Sequence, residues 1–177
     1  KIMNRHSYKK PGIADIMTKR HIDMEQIIQE TDYQNLDIVT ANMNLLSANL
    51  EVMLDQQRPQ QIRIKKALDQ ISSKYDYCVI DNAPDINIST INALVASDDV
   101  MIPITIDDFA LDGLEELKEQ INNTKEDLNP SLNFAGCFIT QYDRQNEADV
   151  QGEEFLNTLE YPVFSTHIRR TPKMKPS

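Results

Sequence analysis

The stretch YDYCVIDNAPDINISTINALVASDDVMIPI, residues 75–104, decides how the rest of the chain is read. Tyr77 to Ile80 form an apolar run without alternation, the pattern of a strand buried on both faces. The run ends on an acid, Asp81, and a turn containing Pro84 leads into a helical segment. A second unalternated run, Val100 to Thr105, follows. Two such strands joined through a helix predict a right-handed crossover and a parallel sheet.

Around this stretch, residues 36–40, 134–140 and 162–168 also read as strands. Helices are predicted over 61–74, with Ile64, Ala67, Leu68 and Ile71 at helical spacing, and over 111–128, with Leu114, Leu117, Ile121 and Leu128. A third is predicted over 146–159, its apolar face made by Val150, Phe155 and Leu159. The alternation implies an α/β fold, a mainly parallel sheet with helices on both faces, in a single domain over residues 1–177. Sheets of this kind bind ligands outside the carboxyl ends of their strands. Asp81 stands at such an end, where it can meet a ligand or a metal; its position equally allows it to cap the turn or the helix that follows.

No apolar run approaches the ~20 residues needed to span a bilayer. The first ten residues, KIMNRHSYKK, lack the apolar centre of a signal peptide, so a cytoplasmic location is expected. Cys78 and Cys137 lie inside apolar runs and read as small buried hydrophobes, neither disulfide partners nor ligands. The net charge of −10 argues against nucleic acid, whose phosphates demand Lys and Arg. Its distribution weakens that exclusion: residues 1–20 carry a net +5 and residues 164–177 a net +4, leaving −19 between them. Such ends fit basic arms for an anionic partner, or plain solvated termini.

Several ordered segments resemble the ParA/Soj/MinD branch of P-loop ATPases, the chromosome- and plasmid-partitioning proteins with a deviant Walker A motif. They are YDYCVID, STINALVASDDV and MIPITIDDFALDGLEEL, flanked by NLDIVTANMNLLSANLEV (35–52) and RIKKALDQISSKYDY (63–77) upstream. Downstream stand GCFITQYDR (136–144) and THIRRTPKMKPS (166–177). The resemblance implies ATP and Mg²⁺ as cofactors, with Asp81 as the Walker B acid that helps hold the metal through water. It implies a switch turn at 82–85, where only Pro84 matches, and Thr140 beside the adenine. It further implies a homodimer closed by ATP, DNA bound without sequence preference through Arg170 and, with a one-residue gap, Arg144, and a ParB-like stimulating partner at the nucleoid. The acids Asp107, Asp108, Asp112, Glu115 and Glu116 then read as a dimer or partner surface, or as a solvated helix face.

A P-loop needs glycines whose backbone N–H groups approach the phosphates. The four glycines, Gly12, Gly113, Gly136 and Gly152, lie in no such motif. The resemblance places the family's glycine-rich loop before Lys1 and its last helices beyond Ser177. The chain is therefore expected to be incomplete at both ends, to lack a catalytic residue of its own, and to need the missing strand for ATP hydrolysis and for a stable sheet. Two other readings remain: an inactive adaptor of the same fold, and a phospho-acceptor signalling domain with Asp81 as the acceptor. The second requires an acidic pair and a Lys that have no evident place in the sequence.

Overall fold

The computed structural model describes residues 10–83, 85–106, 108–158 and 161–171, the side chains of 108–112 excepted. The chain gathers into two compact units, Lys1–Ala96 and Ser97–Ser177.

In the first unit α1 (Ile13–Thr18) and α2 (Met24–Ile27) precede an antiparallel ribbon of β1 (Gln29–Glu30) and β2 (Asp37–Ile38). Then come α3 (Asn44–Leu54), α4 (Arg63–Leu68), a 3-10 turn at Ser72–Lys74 and α5 (Ile88–Ala96). Asp23 opens α2 by accepting from the Glu25 amide at 3.0 Å. Ile16, Met17, Met24, Ile27, Ala48, Val52, Ile64, Ala67, Ile71 and Ile88 make the core. The predicted helix over 61–74 divides at Leu68, yet Ile64, Ala67 and Ile71 all reach the core.

Arg63 is 7% exposed and is held by its partners. Its guanidinium donates to the Met17 carbonyl at 2.6 Å and to Asp55 Oδ2 at 2.8 Å, and Arg58 donates to the same oxygen at 2.8 Å. The Arg58 hydrogen bond, followed by that from the Gln57 amide, lowers the Asp55 carboxyl from 3.8 to about 2. The unfolded chain therefore binds the proton first as pH falls, and the stability carried by this pair is complete above about pH 4 and lost toward about pH 2. Urea midpoints should fall across that window in the native protein and fall less in Asp55→Asn; equal slopes would refute the coupling.

Residues 77–81 correct one expectation. They join no ladder among the described residues. Tyr77 and Val79 are 90% and 92% exposed, while Ile80 packs against the core. Cys78, expected to be buried, is exposed as well, and a ladder needs the N–H and C=O groups of a neighbour. No described residue supplies them. The expected strand at 36–40 likewise shortens to the two residues of β2, and α3 occupies part of a segment with no predicted element.

The second unit carries the parallel sheet. β3 (Asp99–Ile104), α6 (Asp108–Asp127), β4 (Asn133–Tyr142), α7 (Glu147–Thr158) and β5 (Ile168–Arg169) follow in order, and the sheet runs β3-β4-β5 with both pairs parallel. The α/β expectation holds, as do the positions of β3, β4, α6 and α7. Ile104, Leu114, Cys137, Ile139, Tyr142 and Leu156 form the core, and burial raises the Cys137 thiol to about 11. On α7 the anchor is Leu156, 1% exposed, rather than Phe155, 49% exposed. One residue is 100° of helix, enough to turn Phe155 off the packed stripe. Leu159 lies outside the described residues.

β4 is irregular twice. Val100 pairs with Phe134 and Met101 with Gly136, so Ala135 is an extra residue; Thr140 pairs with Ile168 and Tyr142 with Arg169, so Gln141 is another. Gly136 has φ 133°, and a Cβ there would stand 2.5 Å from the Pro162 carbonyl oxygen. Gln141 has φ 57°, an uncommon left-handed conformation for a residue with a side chain. Among the described residues no helix is long and apolar enough to cross a membrane.

Candidate functional site

Asp81 follows the half-buried Ile80 in the first unit and is exposed. The capping role that its position allowed is taken by Asn87, whose Oδ1 accepts from the Ser89 amide at 2.9 Å and the Thr90 amide at 3.1 Å at the start of α5. The Thr90 hydroxyl donates to the Asp85 carbonyl at 2.8 Å, tying the turn to the helix. Pro84 lies outside the described residues. Among the described residues no three His, Cys, Asp or Glu side chains gather as a metal cage. Asp81 thus offers a single hard oxygen, the donor set that suits an ion taking its other ligands from water and phosphate.

In the second unit the end of β4 opens into a polar cavity of about 370 Å³. Thr140, Gln141, Asp143, Asn146, Asp149 and Arg170 line it, with Thr105 and Ile106 beyond β3. Thr140 donates its hydroxyl proton to the Ile104 carbonyl at 3.2 Å. The 143–146 turn is braced, since the Asp143 amide donates to Asp149 Oδ2 at 2.7 Å and Asn146 Oδ1 accepts from the Ala148 amide at 3.1 Å. Glu147 and Asp149 in the first turn of α7 complement the positive end of the helix dipole. A neighbouring concavity of about 390 Å³ is lined by Arg144, Arg169 and Arg170 together with Tyr142, Asp143 and Gln145.

The structure therefore brings Thr140 and Arg170 to one cavity, and Arg144 and Arg170 to the next; Asp81 belongs to the other unit. Glu115 and Glu116 are exposed on α6, consistent with a solvated face, and Asp107 together with the side chains of Asp108 and Asp112 lies outside what is described.

Comparison with known proteins bears on this arrangement. Residues 2–134 match the AAA domain family designated AAA_31. The chain is 33% identical over 153 residues to the sporulation initiation inhibitor protein Soj of Bacillus subtilis, a match covering 86% of this chain and 60% of Soj. The chain belongs to the ParA/Soj/MinD-type P-loop ATPases. A plasmid partition protein of Borrelia burgdorferi superposes with a TM-score of 0.76 at 26% identity, covering 96% of this chain and 68% of that one. Cobyrinic acid a,c-diamide synthase of Mycobacterium smegmatis, solved with an ATP analogue and magnesium, superposes with a TM-score of 0.87, covering 96% of this chain and 69% of its own. At 22% identity that likeness speaks to the fold alone. The ParA/Soj-type chain described here spans about 60% of the length of Soj.

Three residues of this ParA/Soj-type chain escaped sequence reading. Arg169 joins Arg144 and Arg170, and the doubled arginine of IRR was the available signal. Gln141 takes the left-handed bulge position with no sequence mark. Asn92, inside TINAL, is fully buried and serves the fold.

Proposed function

We propose that the whole protein is a partition ATPase that binds Mg²⁺-ATP, closes as a homodimer, binds DNA without sequence preference, and is released when a ParB-like partner stimulates hydrolysis. The observation that carries the reading is the convergence of Arg144 and Arg170 beside the Thr140 cavity. Phosphate contacts require charge rather than shape, which suits guanidinium groups grouped in a shallow concavity. Thr140, its proton committed to Ile104, retains acceptor lone pairs for a purine amino group. Asp81 would hold the Mg²⁺ through water, and the ion would neutralise phosphate charge during hydrolysis. A nucleoid-associated, cytoplasmic location follows from the DNA contact.

The test is DNA binding by the whole protein with and without ATP over a salt series. Arg144→Ala and Arg170→Ala should each weaken binding equally on unrelated duplexes and lower the salt slope by about one unit. Unchanged affinity and slope in both variants would remove the DNA role from these residues. Dimerisation that ignores nucleotide would instead favour an inactive adaptor of the same fold.

A further inference from the structure

Glu153 on α7 engages two side chains from different parts of the second unit. Its Oε2 accepts from the Tyr142 hydroxyl at 2.6 Å, a bond that raises the tyrosine's pKa. Its Oε1 lies 3.0 Å from His167 Nε2, at ion-pair distance without the alignment of a hydrogen bond. The His167 and Tyr142 rings stack, their centroids 4.3 Å apart and their planes 26° from parallel. One carboxylate thus joins α7, the end of β4 and the residue that enters β5.

The cluster shares its backbone segments with the arginines. Arg144 follows Tyr142 by two residues, and Arg169 and Arg170 follow His167 by two and three. Tyr142 pairs with Arg169 in the ladder, and the Arg170 amide donates to the Tyr142 carbonyl at 3.3 Å. β5 itself is two residues long, and the chain before it also meets β4 at the Cys137–Val163 bridge, where the Cys137 amide donates to the Pro162 carbonyl and the Phe164 amide to the Cys137 carbonyl, each at 2.8 Å. Among the described residues, the ion pairs engage none of the three guanidinium groups. The ladder sets the spacing of the two backbone segments, and the Glu153 cluster adds side-chain contacts that tie both segments to α7 close to the arginines they carry.

We propose that Glu153, Tyr142 and His167 form a positioning clamp that presents Arg144, Arg169 and Arg170 as one surface for the phosphate backbone of DNA. The proposal rests on the reading of the whole protein as a DNA-binding ATPase. It makes a prediction opposite in sign to simple charge counting. Glu153→Ala removes a negative charge near the arginines, so additive electrostatics tightens DNA binding; it also removes the acceptor of the Tyr142 hydroxyl, and loss of the clamp weakens binding. Tyr142→Phe changes no charge at neutral pH and keeps the ring but breaks the hydroxyl contact.

The experiment uses the whole protein with saturating Mg²⁺-ATP, a fluorescent duplex of arbitrary sequence, and hydrogen exchange at the Arg169 and Arg170 amides. Both variants should weaken DNA binding about three- to tenfold, the size of one net hydrogen bond, and the double variant by no more than the stronger single one. ATP turnover without DNA should be unchanged in Glu153→Ala. Exchange at the two amides should quicken in both variants. Tighter binding by Glu153→Ala, or unaltered exchange in both variants, overturns the clamp whatever the wild-type protein does with DNA. Quickened exchange with no DNA binding by the wild type supports the clamp as a brace and overturns its DNA role, and with it the proposed function.

Discussion

Alanine at position 81 is expected to lower Mg²⁺-dependent ATP turnover of the whole protein by about 10- to 100-fold, the range for groups acting on a metal through its outer shell. The carboxylate is exposed and is relieved of capping duty because Asn87 opens α5. Its loss should leave the fold nearly untouched, within about 0.5 kcal/mol, as for surface positions generally. Phosphate release measured against Mg²⁺ concentration checks the assignment. A higher Mg²⁺ requirement in Asp81→Ala, with an intermediate value in Asp81→Asn, is the expected pattern. Turnover equal to wild type at every Mg²⁺ concentration would take the metal role from Asp81.

The largest stability effect is expected at Asn92, where alanine should cost about 3 kcal/mol. The side chain is 0% exposed and makes four hydrogen bonds. Its Oδ1 accepts from the Arg63 and Ile64 amides at 2.7 and 3.3 Å, and its Nδ2 donates to the Gln60 and Ile88 carbonyls at 2.7 and 2.8 Å. Those two amides open α4, whose own N-cap residue, Ile62, has no side chain able to serve them. A helix 29 residues away in sequence therefore supplies the cap. Removing it costs about 1 kcal/mol as a cap, and each buried backbone group left unpaired adds about 1 to 3 kcal/mol, offset where water enters. Urea unfolding followed by circular dichroism measures the sum. A loss below about 1 kcal/mol would mean that α4 finds its cap elsewhere.

The sequence by itself determined the α/β class, the parallel β3-β4 pair, the helices α6 and α7, and membership of the ParA/Soj type. Those features rest on local signals: unalternated apolar runs, long helical periodicity, and motifs whose order along the chain is preserved. It also singled out Thr140 as an adenine contact and, separately, Arg144 and Arg170 as DNA contacts, without saying that they meet. What only the tertiary structure decided is where strand-like sequence becomes sheet and which charges share a surface. Residues 77–81 have the composition of a buried strand, but a strand is completed by the backbone of another segment, and no described residue provides it. Phe155 and Leu156 are both apolar, and only the angle at which α7 meets the sheet selects Leu156. Arg144 and Arg170 are 26 positions apart, and they converge because the Gln141 bulge, the short β4-β5 ladder and the Glu153 contacts bring two chain segments together. Periodicity records which way one segment faces; the distance between segments is set by packing, to which distant residues contribute at once.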